Sequence, residues 1–267
     1  MSIPVSEKNF PGLGADSARR AIVVGASSGI GRALAKQLIE EGWQVVALAR
    51  RVELLKELRE EIRAVHGDAA AERLTHREHD VNHAGEVTGL FDEIVGELGG
   101  LELLIYGAAI MPEVAADEFD SAKDLAMLQV NLAGCVAWCN PAAVYFRTRR
   151  SGTICGISSI AGDRGRRKGP VYGTTKAGMN HYLEALRNRL DTVGVHVCTI
   201  RPGFVATDMT RSQGDDLLWL ISAEEAARQI RRAIKKRRQV AYVPGRWRLV
   251  GIVIRAIPSF FFRRTDI

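Results

Sequence analysis

The stretch AIVVGASSGIGRALAKQLIEEG, Ala21 to Gly42, decides the fold. Its opening AIVVGA is a short β-branched run of the kind that makes a buried strand. Gly25, Gly29 and Gly31 follow in the spacing G-x-x-x-G-x-G. RALAKQLIEEG (32–42) then shows helical periodicity and a glycine stop. Strand, glycine turn and helix start, in that order, build a cradle for an anion. Glycine allows the tight turn and a close backbone approach, and the first N–H groups of the helix are unpaired donors at the positive end of its dipole. A purely structural turn is the alternative. The functional reading makes Gly25, Ser27, Ser28, Gly29, Ile30 and Gly31 contacts of a dinucleotide.

The pattern repeats outward from this unit. Further strands are read at VVALAR (45–50), near 73–79, at LELLIYGAA (101–109), TICGIS (153–158), VHVCTIR (195–201) and VAYV (240–243). Helical patterns fill 52–65, 84–98, 121–148, 172–191 and 223–238. Alternation of this kind predicts one α/β domain, a doubly wound parallel sheet with helices on both faces. We place that domain at 18–245, after an N-terminal tail (1–17) and before a hydrophobic and basic C-terminal segment (246–267).

Composition narrows the function classes. Of 267 residues, 46% are hydrophobic and 25% charged, which is ordinary for a globular domain with a full core. A net charge of +6 hints at anionic ligands or surfaces. Cys135, Cys139, Cys155 and Cys198 form no CxxC pair, and the six histidines are scattered, so no metal site is expected. Buried free thiols suit a reducing compartment, and the N-terminus has no apolar secretory core, so a cytoplasmic location is expected. The basic run RRAIKKRRQ (231–239) falls at a helix end and lacks interleaved aromatics, so nucleic acid is not an expected partner.

The cofactor type is read from the second strand. An NAD site places an acid there for the ribose 2′-hydroxyl. Here the strand ends Ala49-Arg50-Arg51, with no acid before Glu53. A guanidinium suits a 2′-phosphate, so Arg50 and Arg51 point to NADP(H).

The chemistry is read from VYGTTKAG (171–178), where Tyr172 precedes Lys176 by one helical turn. Phenol titrates near pKa ~10, and an ammonium about 4 Å away lowers that by roughly three units only at an effective dielectric near 20. The pair therefore needs a dry pocket. Ser159, at the end of the 153–158 strand, faces the same crevice, because strand C-termini line it in a doubly wound sheet. Ser159 can donate to a carbonyl oxygen and Tyr172 can supply a proton. Lys176 can lower the tyrosine's pKa and hold the nicotinamide ribose. Ketone reduction needs those parts plus a hydride.

With these residues in place the chain resembles a short-chain dehydrogenase/reductase. The marks are GASSGIG (25–31), Asp80-Val81, Asn131, ISSIAG (157–162), Tyr172-x-x-x-Lys176 and PGFVAT (202–207), in family order across residues 20–245. The resemblance implies a Ser159–Tyr172–Lys176 triad joined by Asn131, which kinks its helix and anchors a relay water. It implies that Asp80 and Val81 meet the adenine, that Ala108 borders the cofactor, and that Pro202, Gly203, Val205 and Thr207 meet the nicotinamide end. A homo-oligomer, dimer or tetramer, is the implied assembly. One mark departs: an Asn-Asn-Ala-Gly-like motif is replaced by Tyr106-Gly107-Ala108-Ala109, and Tyr106 is expected to fill the missing asparagine's space.

Two segments bear on the substrate. AGDRGRRKGPV (161–171) carries Arg164, Arg166, Arg167 and Lys168, read as an anion-binding rim or as a solvated charge run. In the C-terminal segment, Arg248, Gly251, Arg255 and Ser259 form a narrow polar stripe within a wide apolar surface. Arg255 and Pro258 interrupt that surface, so it is not expected to span a membrane. It is read as an oligomer interface, a pocket cover, or a peripheral contact (246–264) with the anionic inner face of a membrane. The loop and tail are similar to the decaprenylphosphoryl-2-keto-ribose reductase branch, which reduces a keto sugar on a polyprenyl phosphate. A soluble ketone or alcohol as substrate, and a non-catalytic NADP-binding regulator, are the alternatives.

Overall fold

The computed structural model describes residues 19–115, 117–211 and 217–265. The tail expected at 1–17 lies outside the described residues. In chain order the elements are β1 (Arg20–Val24), α1 (Gly29–Glu40), β2 (Gln44–Ala49), α2 (Val52–His66), α3 (Asp68–Ala71), β3 (Leu74–Glu78), α4 (Val87–Leu98), β4 (Leu103–Tyr106), α5 (Ser121–Met127), α6 (Gly134–Arg149), β5 (Thr153–Ile157), α7 (Pro170–Leu190), β6 (His196–Pro202), β7 (Val205–Ala206), β8 (Ile221–Ser222), α8 (Ala223–Lys235), β9 (Val240–Val243), α9 (Trp247–Ala256) and α10 (Ser259–Phe262).

Seven strands form one parallel sheet in the order β3-β2-β1-β4-β5-β6-β9. β1 is buried along its whole length, as a parallel strand covered on both faces must be. Its alternate residues feed two cores. Ala21 and Val23 pack with Leu34 and Leu38 of α1, Leu55 of α2 and Ile230 of α8. Ile22 and Val24 pack with Phe91 of α4, Trp138 and Tyr145 of α6 and Leu183 of α7. Strand order reverses between β1 and β4, which opens the crevice where a doubly wound sheet takes its ligand.

The backbones at that crevice are almost in contact. A Cβ on Gly25 (φ +88°) would lie 2.5 Å from the Ala108 nitrogen, and one on Gly31 would lie 2.1 Å from the Gly25 carbonyl oxygen. These glycines are fixed by packing of backbone on backbone.

The long helix expected over 121–148 is one run with a π-helical turn at Leu128–Ala133 between α5 and α6. Tyr106, fully buried, donates its hydroxyl to the Val130 carbonyl of that turn at 2.5 Å. A Cβ on Gly134 would lie 2.4 Å from the Tyr106 hydroxyl. The buried Tyr106 ring thus packs against the π turn, and its hydroxyl satisfies a backbone acceptor there.

The C-terminal helices fold back onto the domain. Trp247 is buried edge-on against Phe204 and Trp219, with ring centroids 5.6 and 5.4 Å away. The polar stripe divides. Gly251 does not face outward with Arg248 and Arg255; it is pressed against Asp163 and Tyr242, where a Cβ would meet the Asp163 carboxylate at 2.4 Å. The helix needs glycine there to approach the loop after β5. Some apolar residues of the two helices stay outside, Leu249 of α9 and Phe261 of α10 being 69% and 55% exposed, while Val250, Val253 and Ile254 border the cavity. Among the described residues no helix is long and apolar enough to cross a membrane.

Candidate active site

α7 opens with Pro170, whose fixed φ and missing N–H suit the first turn of a helix, after Gly169 (φ +61°). Tyr172 and Lys176 then stack on one face. The helix is fastened to the end of β5 by reciprocal bonds. Lys176 Nζ donates to the Ile157 carbonyl at 3.0 Å, and Ser158 Oγ donates to the Lys176 carbonyl at 3.1 Å. A Cβ on Gly162 would lie 2.6 Å from the Lys176 carbonyl carbon, so the loop passes directly under the helix. Ser159, next in line after Ser158, accepts from Ala161 N at 3.1 Å and hydrogen-bonds the Tyr172 phenol.

Electrostatics here differ from the sequence expectation. Burial raises the Tyr172 pKa; the Ser159 hydrogen bond and the Arg166 charge pull it back. The cation that acts on the phenol is thus Arg166. Lys176, only 2% exposed, lies 5.7 Å from the tyrosine ring centroid with its ammonium turned to Ile157. Desolvation drops its own pKa to about 8.

Asn131, in the π turn, is fully buried behind this pair. Its Oδ1 accepts from Ile110 N at 2.8 Å, and its Nδ2 donates to Ile110 O at 3.0 Å and Thr175 Oγ1 at 3.2 Å. It joins the loop after β4 to α7 and is not on the cavity wall.

The cavity is continuous from the glycine loop to α9, about 1830 Å³, and is walled by Ser159, Tyr172, Lys176 and the loop after β6. Gly25, Ser27, Ser28, Gly29, Ile30 and Gly31 all reach it, as do Arg50, Arg51, Val81, Ala108, Pro202, Gly203, Val205 and Thr207. Ser28 occupies the N-cap of α1 without capping it; its hydroxyl instead accepts from Arg51 Nη2 at 2.8 Å, and that of Ser27 at 3.2 Å. Among the described residues no side chain caps the first turn of α1, and Arg51 is held across the loop. Arg50 is on the wall but exposed. Asp80 turns its carboxylate to Asn82 N at 3.0 Å and is not on the wall, whereas buried His79 is. His79 stands edge-on to Trp138 at 5.4 Å, a pairing across elements that no local pattern announces.

A family model described as short chain dehydrogenase matches residues 19–218. The chain belongs to the short-chain dehydrogenase/reductase family. It is an oxidoreductase fold with named relatives. An uncharacterized oxidoreductase of Myxococcus xanthus is 31% identical over 210 residues, 79% of this chain and 81% of that one. A 3-oxoacyl-(acyl-carrier-protein) reductase of Staphylococcus aureus is 33% identical over 205 residues, 74% and 79% of the two chains. An uncharacterized oxidoreductase of Mycobacterium tuberculosis is 29% identical over 243 residues, 91% and 95%. The solved structure of ElxO with NADP bound superposes with a TM-score of 0.70 at 21% identity, covering 80% of this chain and 90% of that one.

The Lys176 environment sets a pH test. Its folded pKa, about 8, lies below the unfolded value of 10.5, so the unfolded chain binds the proton more tightly. This group's contribution therefore rises with pH from about 8 to about 10.5 and is flat below that window. Denaturant unfolding of wild type and Lys176→Met across pH 7–10 is expected to show their difference moving in favour of wild type above pH 8. A difference that does not change with pH would show that the buried ammonium carries no desolvation strain.

Proposed function

We propose that this protein is an NADP(H)-dependent reductase that converts a ketone into a secondary alcohol. The observation that carries the reading is one cavity wall holding the glycine cradle, Arg51, Ser159, Tyr172 and Lys176 together. The cradle fits a pyrophosphate because the positions where a Cβ would collide, Gly25 and Gly31, are the ones that bring backbone N–H groups to the ligand. Arg51, with Arg50 beside it, would take the 2′-phosphate; Val81, backed by Asp80, would border the adenine; Ala108, Pro202, Gly203, Val205 and Thr207 would border the nicotinamide end. When bound, NADPH supplies the hydride. Ser159 donates to the carbonyl oxygen, where negative charge develops, and Tyr172 passes its proton to that oxygen. Burial keeps Tyr172 protonated at neutral pH, as a donor must be. Lys176 holds the end of β5 and would hold the nicotinamide ribose of the bound cofactor. The NADP-bound neighbour and the reductase relative support the same cofactor and direction.

For the substrate, the supporting feature is α9. Val250, Ile254 and Ile257 wall the cavity, while Leu249, Ile252, Phe260 and Phe261 face outside among Arg248, Arg255, Arg263 and Arg264. Apolar surface runs from cavity to exterior with cations around it. This favours an amphiphilic ketone, such as a keto sugar carried on a polyprenyl phosphate, reached from an anionic membrane surface, over a soluble ketone.

Tyr172→Phe keeps the ring and removes the proton. Its NADPH dissociation constant is expected within about twofold of wild type, with turnover down by about 10²–10⁴, the usual range for a lost general acid. Full turnover in this variant would end the catalytic assignment.

The membrane reading is tested by replacing the exposed pair, Phe260→Ser with Phe261→Ser. Co-sedimentation with phosphatidylglycerol vesicles is expected to fall at least fivefold, while turnover of a small soluble ketone stays within about twofold. Equal sedimentation of variant and wild type, or none by either, would remove the membrane contact from the account.

A further inference from the structure

The cations between Ser159 and α7 have different partners. Arg164 Nη1 donates to the Ile254 carbonyl at 2.6 Å and to that of Ile257, and its guanidinium lies 4.1 Å over the Phe262 ring. It is committed to fastening the C-terminal helices. Arg167 is exposed and off the cavity wall. Arg166 is on that wall with Ser159, Tyr172, Arg164 and Lys168; it is partly buried, whereas Lys168 is exposed.

Its position is unusual for a guanidinium. Burial pushes its pKa down, and the group whose charge it feels is the Tyr172 phenol. Among the described residues no carboxylate pairs with it. Asp163 accepts from Arg201 at 2.9 Å and Tyr242 at 2.7 Å, Glu118 from Lys123 at 2.5 Å, and Asp208 from Arg211 at 2.8 Å; exposed Glu113 shares the cavity wall but forms no ion pair with Arg166 among the described residues. Arginine stays charged at neutral pH, and its planar fork matches the two oxygens of a phosphate or carboxylate. A half-dry guanidinium that no acid among the described residues pairs with, beside the proton donor, is built to receive an anion.

We propose that Arg166 anchors an oxyanion, phosphate or carboxylate, that the substrate carries close to its reacting carbonyl. This rests on the reductase reading and narrows it, by naming the residue that would hold the substrate's charge beside the ketone. It also separates the sequence's basic rim into one anion-binding residue, Arg166, and one structural residue, Arg164.

The test uses paired probes that differ in one charge. Dihydroxyacetone phosphate is set against dihydroxyacetone, and levulinate against methyl levulinate. Affinities are measured by calorimetry on the NADP-loaded full chain, and turnover with NADPH is measured in parallel. Wild type is expected to favour one anionic probe over its neutral partner by at least tenfold; which pair shows it tells phosphate from carboxylate. Arg166→Gln is expected to reduce that preference at least tenfold, and Arg166→Lys to keep part of it. A preference unchanged in Arg166→Gln, with both probes weakened alike, would place Arg166 on Tyr172 alone and overturn the proposal. Absence of any anion preference in wild type would overturn it too. So would a loss in Arg166→Gln confined to NADPH affinity, because Arg166 would then belong to the cofactor. If no probe turns over, the reductase reading is what fails, and the binding preference still decides the role of Arg166.

Discussion

Everything at the candidate site depends on how α7 sits on the end of β5. The helix meets the strand through Lys176 and the Ile157 carbonyl, and through Ser158 and the Lys176 carbonyl, with Gly162 removing the side chain that would hold the two apart. Gly156, on β5 itself, is equally constrained: a Cβ there would lie 2.4 Å from the Leu183 side chain of α7. The close approach has an electrostatic consequence. It buries Lys176 and partly buries Tyr172, so the ammonium loses stability and the phenol keeps its proton. One packing constraint thus sets both the geometry and the protonation states that carbonyl reduction would use.

Two other contacts carry the same constraint outward. Asn131 binds the backbone of Ile110 on both sides and reaches Thr175, so the loop after β4 cannot move independently of α7. On the far side, buried Asp163 joins Arg201 of β6 and Tyr242 of β9, and adjacent Arg164 holds the carbonyls at the end of α9. The loop that starts at Ser159 is therefore the junction between the reacting groups and the C-terminal helices. A change at the tail that disturbs Arg164 has a short covalent path to Ser159.

The parts legible in the sequence were those whose chemistry is local. The glycine loop reads from spacing alone, because backbone contact at Gly25 and Gly31 allows no other residue. The inner strands read from short apolar runs, since the middle of a covered parallel sheet is apolar on both faces; the edge strand β3, LTHRE, is polar and read only from the alternation. Tyr172 and Lys176 read from one helical turn. What failed to read was direction in space. Both arginines after β2 looked alike, yet only Arg51 is held by the serines of the glycine loop. Four cations near Ser159 looked like one patch, yet Arg164 and Arg166 face different partners. Gly251 looked like part of a narrow polar stripe and is a packing position, while Leu249 is turned outward. His79 gave no signal, because its place depends on Trp138, 59 residues further along the chain.

The account's central claim is that this site moves a hydride from NADPH to a ketone carbon. Single-turnover reactions with NADPH and NADH, each deuterated at the nicotinamide C4 position, test it directly across phosphorylated, carboxylated and long-chain ketones. The account predicts stoichiometric loss of the reduced cofactor, deuterium on the new carbinol carbon of at least one ketone, and faster transfer from NADPH than from NADH. Tight NADPH binding with no label in any product, or label transferred equally well from both cofactors, would contradict it.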